Sequence, residues 1–142
     1  MIKAKKSLGQ NFLIDPNIIN KIIDIVDIKD KNILEIGPGT GNLSSKILDQ
    51  RPKKMIVIEK DKYLANLLKD NFGSRIIVIN QDVLKINENL LDKEKLTVFG
   101  NLPYNISTEI LCKWITNINE SDFWFEYLIL MFQKEVANRI IS

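Results

Sequence analysis

Short β-branched runs alternate with stretches of helical spacing along almost the whole chain. Ile33-Leu34-Glu35-Ile36, Met55-Ile56-Val57-Ile58, Ile76 to Ile79, Leu96 to Phe99 and Tyr127 to Met131 each read as a strand. Between them, Leu43, Ile47 and Leu48, then Leu64, Leu67 and Leu68, then Ile106, Ile110, Leu111 and Trp114 recur as one face of a helix would. An opening helix is expected over Ile18, Ile19, Ile22, Ile23 and Val26, because Asp15-Pro16 offers an N-cap followed by proline at the first helical position. Val136 to Ile141 has the pattern of a closing helix. Near-continuous apolar strands need both faces covered, which parallel sheets flanked by helices provide. The crossover rule then favours an α/β, doubly wound, Rossmann-like and mainly parallel sheet. The polar stretch Asn87 to Lys95 reads as an excursion between the third and fourth strands.

Composition narrows the chemistry. The 142 residues are 45% hydrophobic and 27% charged, the balance of an ordinary globular domain. No apolar run approaches the roughly 20 residues of a membrane span. The charged start Met1-Ile2-Lys3-Ala4-Lys5-Lys6 is not followed by a signal-peptide core, so a cytoplasmic location and no membrane association are expected. Cys112 is the sole cysteine, which excludes an internal disulfide, and its place in an apolar helical pattern predicts a buried thiol. With no histidine, Ser-His-Asp and Cys-His catalysis are excluded and no metal site is expected. A net charge of +2 does not itself indicate a polyanionic partner. Two basic groups, Lys3, Lys5 and Lys6 and then Arg51, Lys53 and Lys54, can meet phosphates or simply be solvated.

In open α/β sheets ligands bind beyond the carboxyl ends of the strands. The first strand runs into Gly37-Pro38-Gly39-Thr40-Gly41, where glycines let the backbone approach a ligand and aim helix N-terminal amides at it. Asn42 stands where the dinucleotide fingerprint requires its third glycine. Glu59 closes the second strand about 20 residues beyond the glycine turn, the place of a carboxylate that accepts from both ribose hydroxyls. Asp82, before Val83, can accept from an adenine amino group or cap the turn that follows. The fourth strand delivers Asn101-Leu102-Pro103-Tyr104. Pro103 has no N–H with which to continue a ladder, so the Asn101 side-chain oxygen and the Pro103 carbonyl are available to accept from an exocyclic amine. Tyr104 offers a face on which a base can stack.

Together, the glycine turn, Glu59, Asp82 and "NLPY" resemble a class I S-adenosylmethionine-dependent methyltransferase acting on an amino nitrogen. "KKSLGQNFLID" at 5–15 and "MFQKEVANRI" at 131–140 narrow the resemblance to the rRNA adenine dimethyltransferases called KsgA or RsmA in bacteria. The resemblance implies that Asn11 and Leu13 close over S-adenosyl-L-methionine, that Gly37 and Gly39 contact it, that Glu59 holds its ribose and Asp82 with Val83 its adenine. It also implies that Asn101, with Pro103 and Tyr104, faces the reacting methyl and the target amine. The implied reaction adds two methyl groups to each of two adjacent adenines near the 3′ end of small-subunit rRNA in an immature ribosomal subunit, with the enzyme a monomer. Family members carry further sheet strands and a small helical C-terminal domain that docks the substrate. Neither has a counterpart here, and Arg139-Ile140-Ile141-Ser142 stops inside a helical pattern, so the sequence reads as an incomplete methyltransferase domain spanning 1–142.

That chemistry needs no histidine. The lone pair of an adenine amine is delocalised into its ring, and two acceptors on the amine hydrogens would turn it toward the methyl group, so that positioning carries most of the catalysis. The base must leave its stack to reach such a site. The Erm group of large-subunit rRNA methyltransferases shares the Asn-x-Pro-aromatic motif, but Leu102, Tyr104 and "SLGQNFL" favour the small-subunit family. Intact Asn101, Pro103, Tyr104, Glu59 and Asp82 argue against a non-catalytic ribosome assembly factor. A nicotinamide-dependent reductase is disfavoured by the glycine spacing and the lack of a Tyr-x-x-x-Lys pair.

Overall fold

The computed structural model describes residues 16–88, 91–101, 104–116 and 124–131. Five strands, β1 (Asn32–Ile36), β2 (Lys54–Ile58), β3 (Ile77–Ile79), β4 (Leu96–Asn101) and β5 (Phe125–Met131), form one sheet in the order β3-β2-β1-β4-β5. Every neighbouring pair is parallel. β1 therefore lies at the centre, and the order reverses direction between β1 and β4, the kind of switch point beyond whose carboxyl ends open α/β sheets bind ligands. This is the expected doubly wound arrangement.

The period of two along each strand sorts side chains to two cores. Ile33, Met55, Val57, Phe99 and Ile129 face the helices α1 (Pro16–Ile23), α2 (Asn42–Asp49) and α3 (Lys62–Phe72) through Ile19, Ile22, Ile23, Leu43, Ile47 and Leu68. Leu34, Ile36, Ile56, Ile58, Leu96 and Val98 face the opposite way, onto Ile110 and Trp114 of α4 (Tyr104–Thr116). Trp124 packs edge-on against Trp114 with ring centroids 5.6 Å apart and closes that layer beside β5. Short 3₁₀ turns over Gly73–Arg75 and Val83–Lys85 flank β3. The expected closing helix over 136–141 lies outside the described residues.

One expectation fails. Cys112 is exposed. Ile110 and Trp114, four residues apart, share the buried face of α4, and at about 100° per residue position 112 points away from both. The apolar composition of the helix hid that difference of face. The Asn87–Lys95 stretch has no strand or α-helix among its described residues, as expected of an excursion, and the sheet and α4 both hold it. Asp92 pairs with Lys54 at 3.0 Å and Glu94 with Lys53 at 3.0 Å, while Asn32 donates to Glu94 at 2.6 Å. These contacts lie at the amino ends of β1 and β2 and engage two of the three cations in the Arg51-Lys53-Lys54 group.

Candidate functional site

The sheet ladder runs past the formal ends of the strands and sets the site's frame. Gly37 N–H donates to the Ile58 carbonyl and Glu59 N–H to the Ile79 carbonyl, each at 3.0 Å, so the three strand ends β1, β2 and β3 stay side by side. Gly37 has φ +67°, and a Cβ there would stand 2.9 Å from the Asn101 carbonyl oxygen. Only glycine lets the first turn lie so close to the end of β4. The chain then closes a tight turn, Gly41 N–H to the Pro38 carbonyl at 3.0 Å, and enters α2 without a side-chain cap on its first amides.

Glu59 is bound into this turn. Its Oε1 accepts from the Gly39 amide at 3.2 Å and its Oε2 from the Asp61 amide at 2.9 Å. Asn80, at the end of β3, donates to the Glu59 carbonyl at 2.8 Å and to the Lys60 carbonyl at 3.0 Å, which fixes the backbone carrying the carboxylate. Burial pushes the Glu59 carboxyl above its ordinary value, and the Asp61 and Gly39 amides oppose that rise. Asp82 Oδ1 accepts from the Leu84 amide at 3.0 Å, so the capping role considered for it is realised. Its other oxygen lies 3.8 Å from Lys60 Nζ, which places Asp82 beside the turn after Glu59. Val83, buried, follows in the 3₁₀ turn.

Glu35, which was not among the residues expected to form the site, is a buried acid near the carboxyl end of β1. It is 1% exposed within β1, on the face toward α2, where Ser44 Oγ donates to its Oε1. Its Oε2 is buried without a hydrogen-bond partner. Burial raises its carboxyl to about 8, against a lowering by Ser44 and a further small rise from the nearby Glu59 charge. A signal was present, since an acid inside an otherwise apolar parallel strand has to be explained by more than packing.

Of the residues expected to form the site, Gly37, Gly39, Glu59, Asp82, Val83 and Asn101 all fall at the carboxyl edge of the sheet. Asn101 is buried at the last position of β4, with Gly100 paired to Ile36 just before it. Tyr104 is the first residue of α4. Asn11, Leu13 and Pro103, and the basic residues Lys3, Lys5 and Lys6, lie outside the described residues. No helix among the described residues is long and apolar enough to cross a membrane.

Residues 1–142 match the protein family described as ribosomal RNA adenine dimethylase. A ribosomal RNA small subunit methyltransferase A from Pelagibacter ubique is 62% identical over 141 residues, covering 99% of this chain and 53% of the relative. A protein of the same name from Wolbachia pipientis is 43% identical over 147 residues, covering 100% and 54%. Among solved structures, a dimethyladenosine transferase from Plasmodium falciparum superimposes with a TM-score of 0.72 at 34% identity, covering 90% of this chain and 45% of that one. The 23S rRNA methyltransferase ErmE superimposes with a TM-score of 0.72 at 26% identity, covering 87% and 48%. The chain thus spans about half the length of the curated relatives it matches.

Proposed function

The chain belongs to the ribosomal RNA adenine dimethylase family, and from that premise we propose that it is the S-adenosylmethionine-binding part of an enzyme that dimethylates two adjacent adenines near the 3′ end of small-subunit rRNA, acting on an immature ribosomal subunit during ribosome biogenesis. The observation that carries this reading is the convergence of the Gly39 amide, the Glu59 carboxylate and the end of β4 at Asn101 on one sheet edge. The cofactor, when bound, supplies a methyl group already activated by a sulfonium.

The residues present fit such a ligand. Gly37 leaves open the space that a Cβ would fill against Asn101. Each carboxylate oxygen of Glu59 has a second lone pair beyond the one its amide uses, so ribose hydroxyls can donate to it without dismantling the turn. Asp82, oriented by the Leu84 amide, would accept from the adenine amine, with Val83 against the ring. Gly37 and Gly39 would line the remainder, with Asn11 and Leu13 closing over it. At the end of β4, Asn101 Oδ1 and the Pro103 carbonyl would accept the two hydrogens of the target amine and Tyr104 would stack on its base. The exocyclic nitrogen then presents its lone pair, and catalysis comes from orientation.

The test is transfer of labelled methyl from S-adenosylmethionine to isolated small and large ribosomal subunits by the full-length protein. Label on two adjacent adenines of the small subunit is expected, and label on large subunits would instead favour an activity like that of ErmE. Asn101→Ala should cut transfer by about a hundredfold or more while cofactor affinity holds. Glu59→Ala should weaken cofactor binding, read by calorimetry, about tenfold or more. Unchanged affinity in Glu59→Ala or unchanged turnover in Asn101→Ala would remove that residue from its role.

A further inference from the structure

Behind the Asp82–Val83 turn lies a polar cluster that the proposed chemistry does not use. Lys113, on α4, directs its ammonium to three acceptors: the Val83 carbonyl at 2.8 Å, the Ile86 carbonyl at 2.5 Å and Glu88 Oε1 at 2.8 Å. Those three bonds employ all three donors of a lysine. Glu88 Oε1 also accepts from Trp114 Nε1 at 2.9 Å, and the Glu88 and Lys113 side chains are 7% and 19% exposed. Two successive residues of one helix therefore grip a single carboxylate. The same lysine holds carbonyls at both ends of the segment that begins with the buried Val83.

Such an arrangement is costly to desolvate unless every donor and acceptor is matched, and here the donors are matched. Its location is informative. The gripped segment starts one residue after Asp82, and the helix doing the gripping begins at Tyr104, three residues after Asn101. The 3₁₀ turn has its own bonds, Leu84 N–H to Asp82 Oδ1 and Lys85 N–H to the Asp82 carbonyl at 2.9 Å, but these are local. Val83 and Ile86 also pack into the core with Val98, Ile110 and Trp114, and the cluster on α4 adds a directional polar tie to that packing.

We propose that Glu88, through Lys113 and Trp114, is a positioning residue that clamps the Asp82–Val83 turn to α4 and so holds the adenine-binding side of the cofactor site in register with the end of β4. This inference rests on the proposed cofactor site. Its consequence is a specific kinetic split: loosening the clamp frees the adenine contacts but leaves Asn101 on its strand, so the KM for S-adenosylmethionine rises while kcat changes little.

The experiment uses the full-length protein. Glu88→Ala should raise the KM for S-adenosylmethionine about tenfold, Glu88→Gln should recover most of that loss because it keeps an acceptor at the same position, and Lys113→Met should match Glu88→Ala. The double variant should be no worse than the poorer single one, as expected of residues acting as one unit. Hydrogen exchange at the Leu84, Lys85 and Ile86 amides should speed up about tenfold in Glu88→Ala, and this measurement uses Lys113→Met instead if the alanine variant does not fold. An unchanged KM with a lowered melting temperature would overturn the proposal, as would additive losses in the double variant. Failure of the wild-type protein to bind S-adenosylmethionine would sink the functional reading alone. The clamp would then stand or fall on the exchange rates, with unchanged rates refuting it.

Discussion

The two ends of the same sheet treat their carboxyl groups in opposite ways. At the amino ends of β1 and β2, Asp92 and Glu94 sit against Lys54 and Lys53, and both carboxyls are held below their ordinary values. The amide of residue 94 leads that effect at Asp92, and the Lys53 ammonium leads it at Glu94. At the carboxyl ends, Glu35 and Glu59 have no ion pair among the described residues, and burial pushes both upward. One end is assembled for mutual neutralisation in water. The other keeps buried carboxyl groups beside a turn that brings the backbone after β1 close to the end of β4, and perturbed groups of that kind concentrate in functional sites.

The severest challenge to this contrast is a change at the glycine turn. Gly37→Ala places a Cβ 2.9 Å from the Asn101 carbonyl in a backbone region that alanine rarely adopts. Destabilisation of about 1–3 kcal/mol is expected from the strain, read from the urea midpoint, together with loss of S-adenosylmethionine binding in calorimetry. Wild-type affinity in that variant would show that the close approach of β1 and β4 does not shape the site.

A second effect concerns the proton on Glu35. Because the folded carboxyl is raised from 4.5 to about 8, the native state holds a proton that the unfolded chain has released between those values. Stability from this group is therefore full below the lower value and is lost as pH rises through the upper one, with a slope of at most about 1.4 kcal/mol per pH unit. Glu35→Gln cannot titrate. Urea unfolding across that interval should show a shallower decline in the variant than in the wild type, and the difference isolates Glu35 from Glu59, whose shift has the same sign. Parallel curves would mean that Glu35 is not held protonated.

The smallest effect belongs to the opposite end. Lys53 and Glu94 have side chains 58% and 59% exposed, so solvent and salt screen their pair. Lys53→Met should move the melting temperature by only about one degree, and a much larger fall would show that this edge contributes more than exposed ion pairs ordinarily do.

Features encoded over short stretches of chain are legible in the sequence. The β-branched runs mark all five strands, and Glu59 stands out because its distance along the chain from the glycine turn is a property of one βαβ unit. Asn101 stands out because it ends a buried strand beside a proline. Features that depend on partners far apart in the chain are not legible. Asp92 and Glu94 reach Lys54 and Lys53 across 38 and 41 residues, so two of the three cations in a basic group have acidic partners that the local sequence does not reveal. Glu88 and Lys113 are 25 residues apart and look like ordinary surface charges until α4 folds back over the turn after β3. Glu35 lies in plain view within its strand, but its meaning comes from Ser44, which only the packing of α2 brings to it.

By itself, the sequence determined the layers, the parallel order and the edge where chemistry would gather, because periodicity and chain connectivity are local and a parallel sheet has one favoured handedness. The tertiary structure decided which charges are paired, which carboxyl groups burial pushes upward and which contacts tie the turn after Asp82 to α4. Those outcomes depend on burial and on distances between residues remote in the chain, and the strength of a charge's interactions is set by the surroundings that folding supplies.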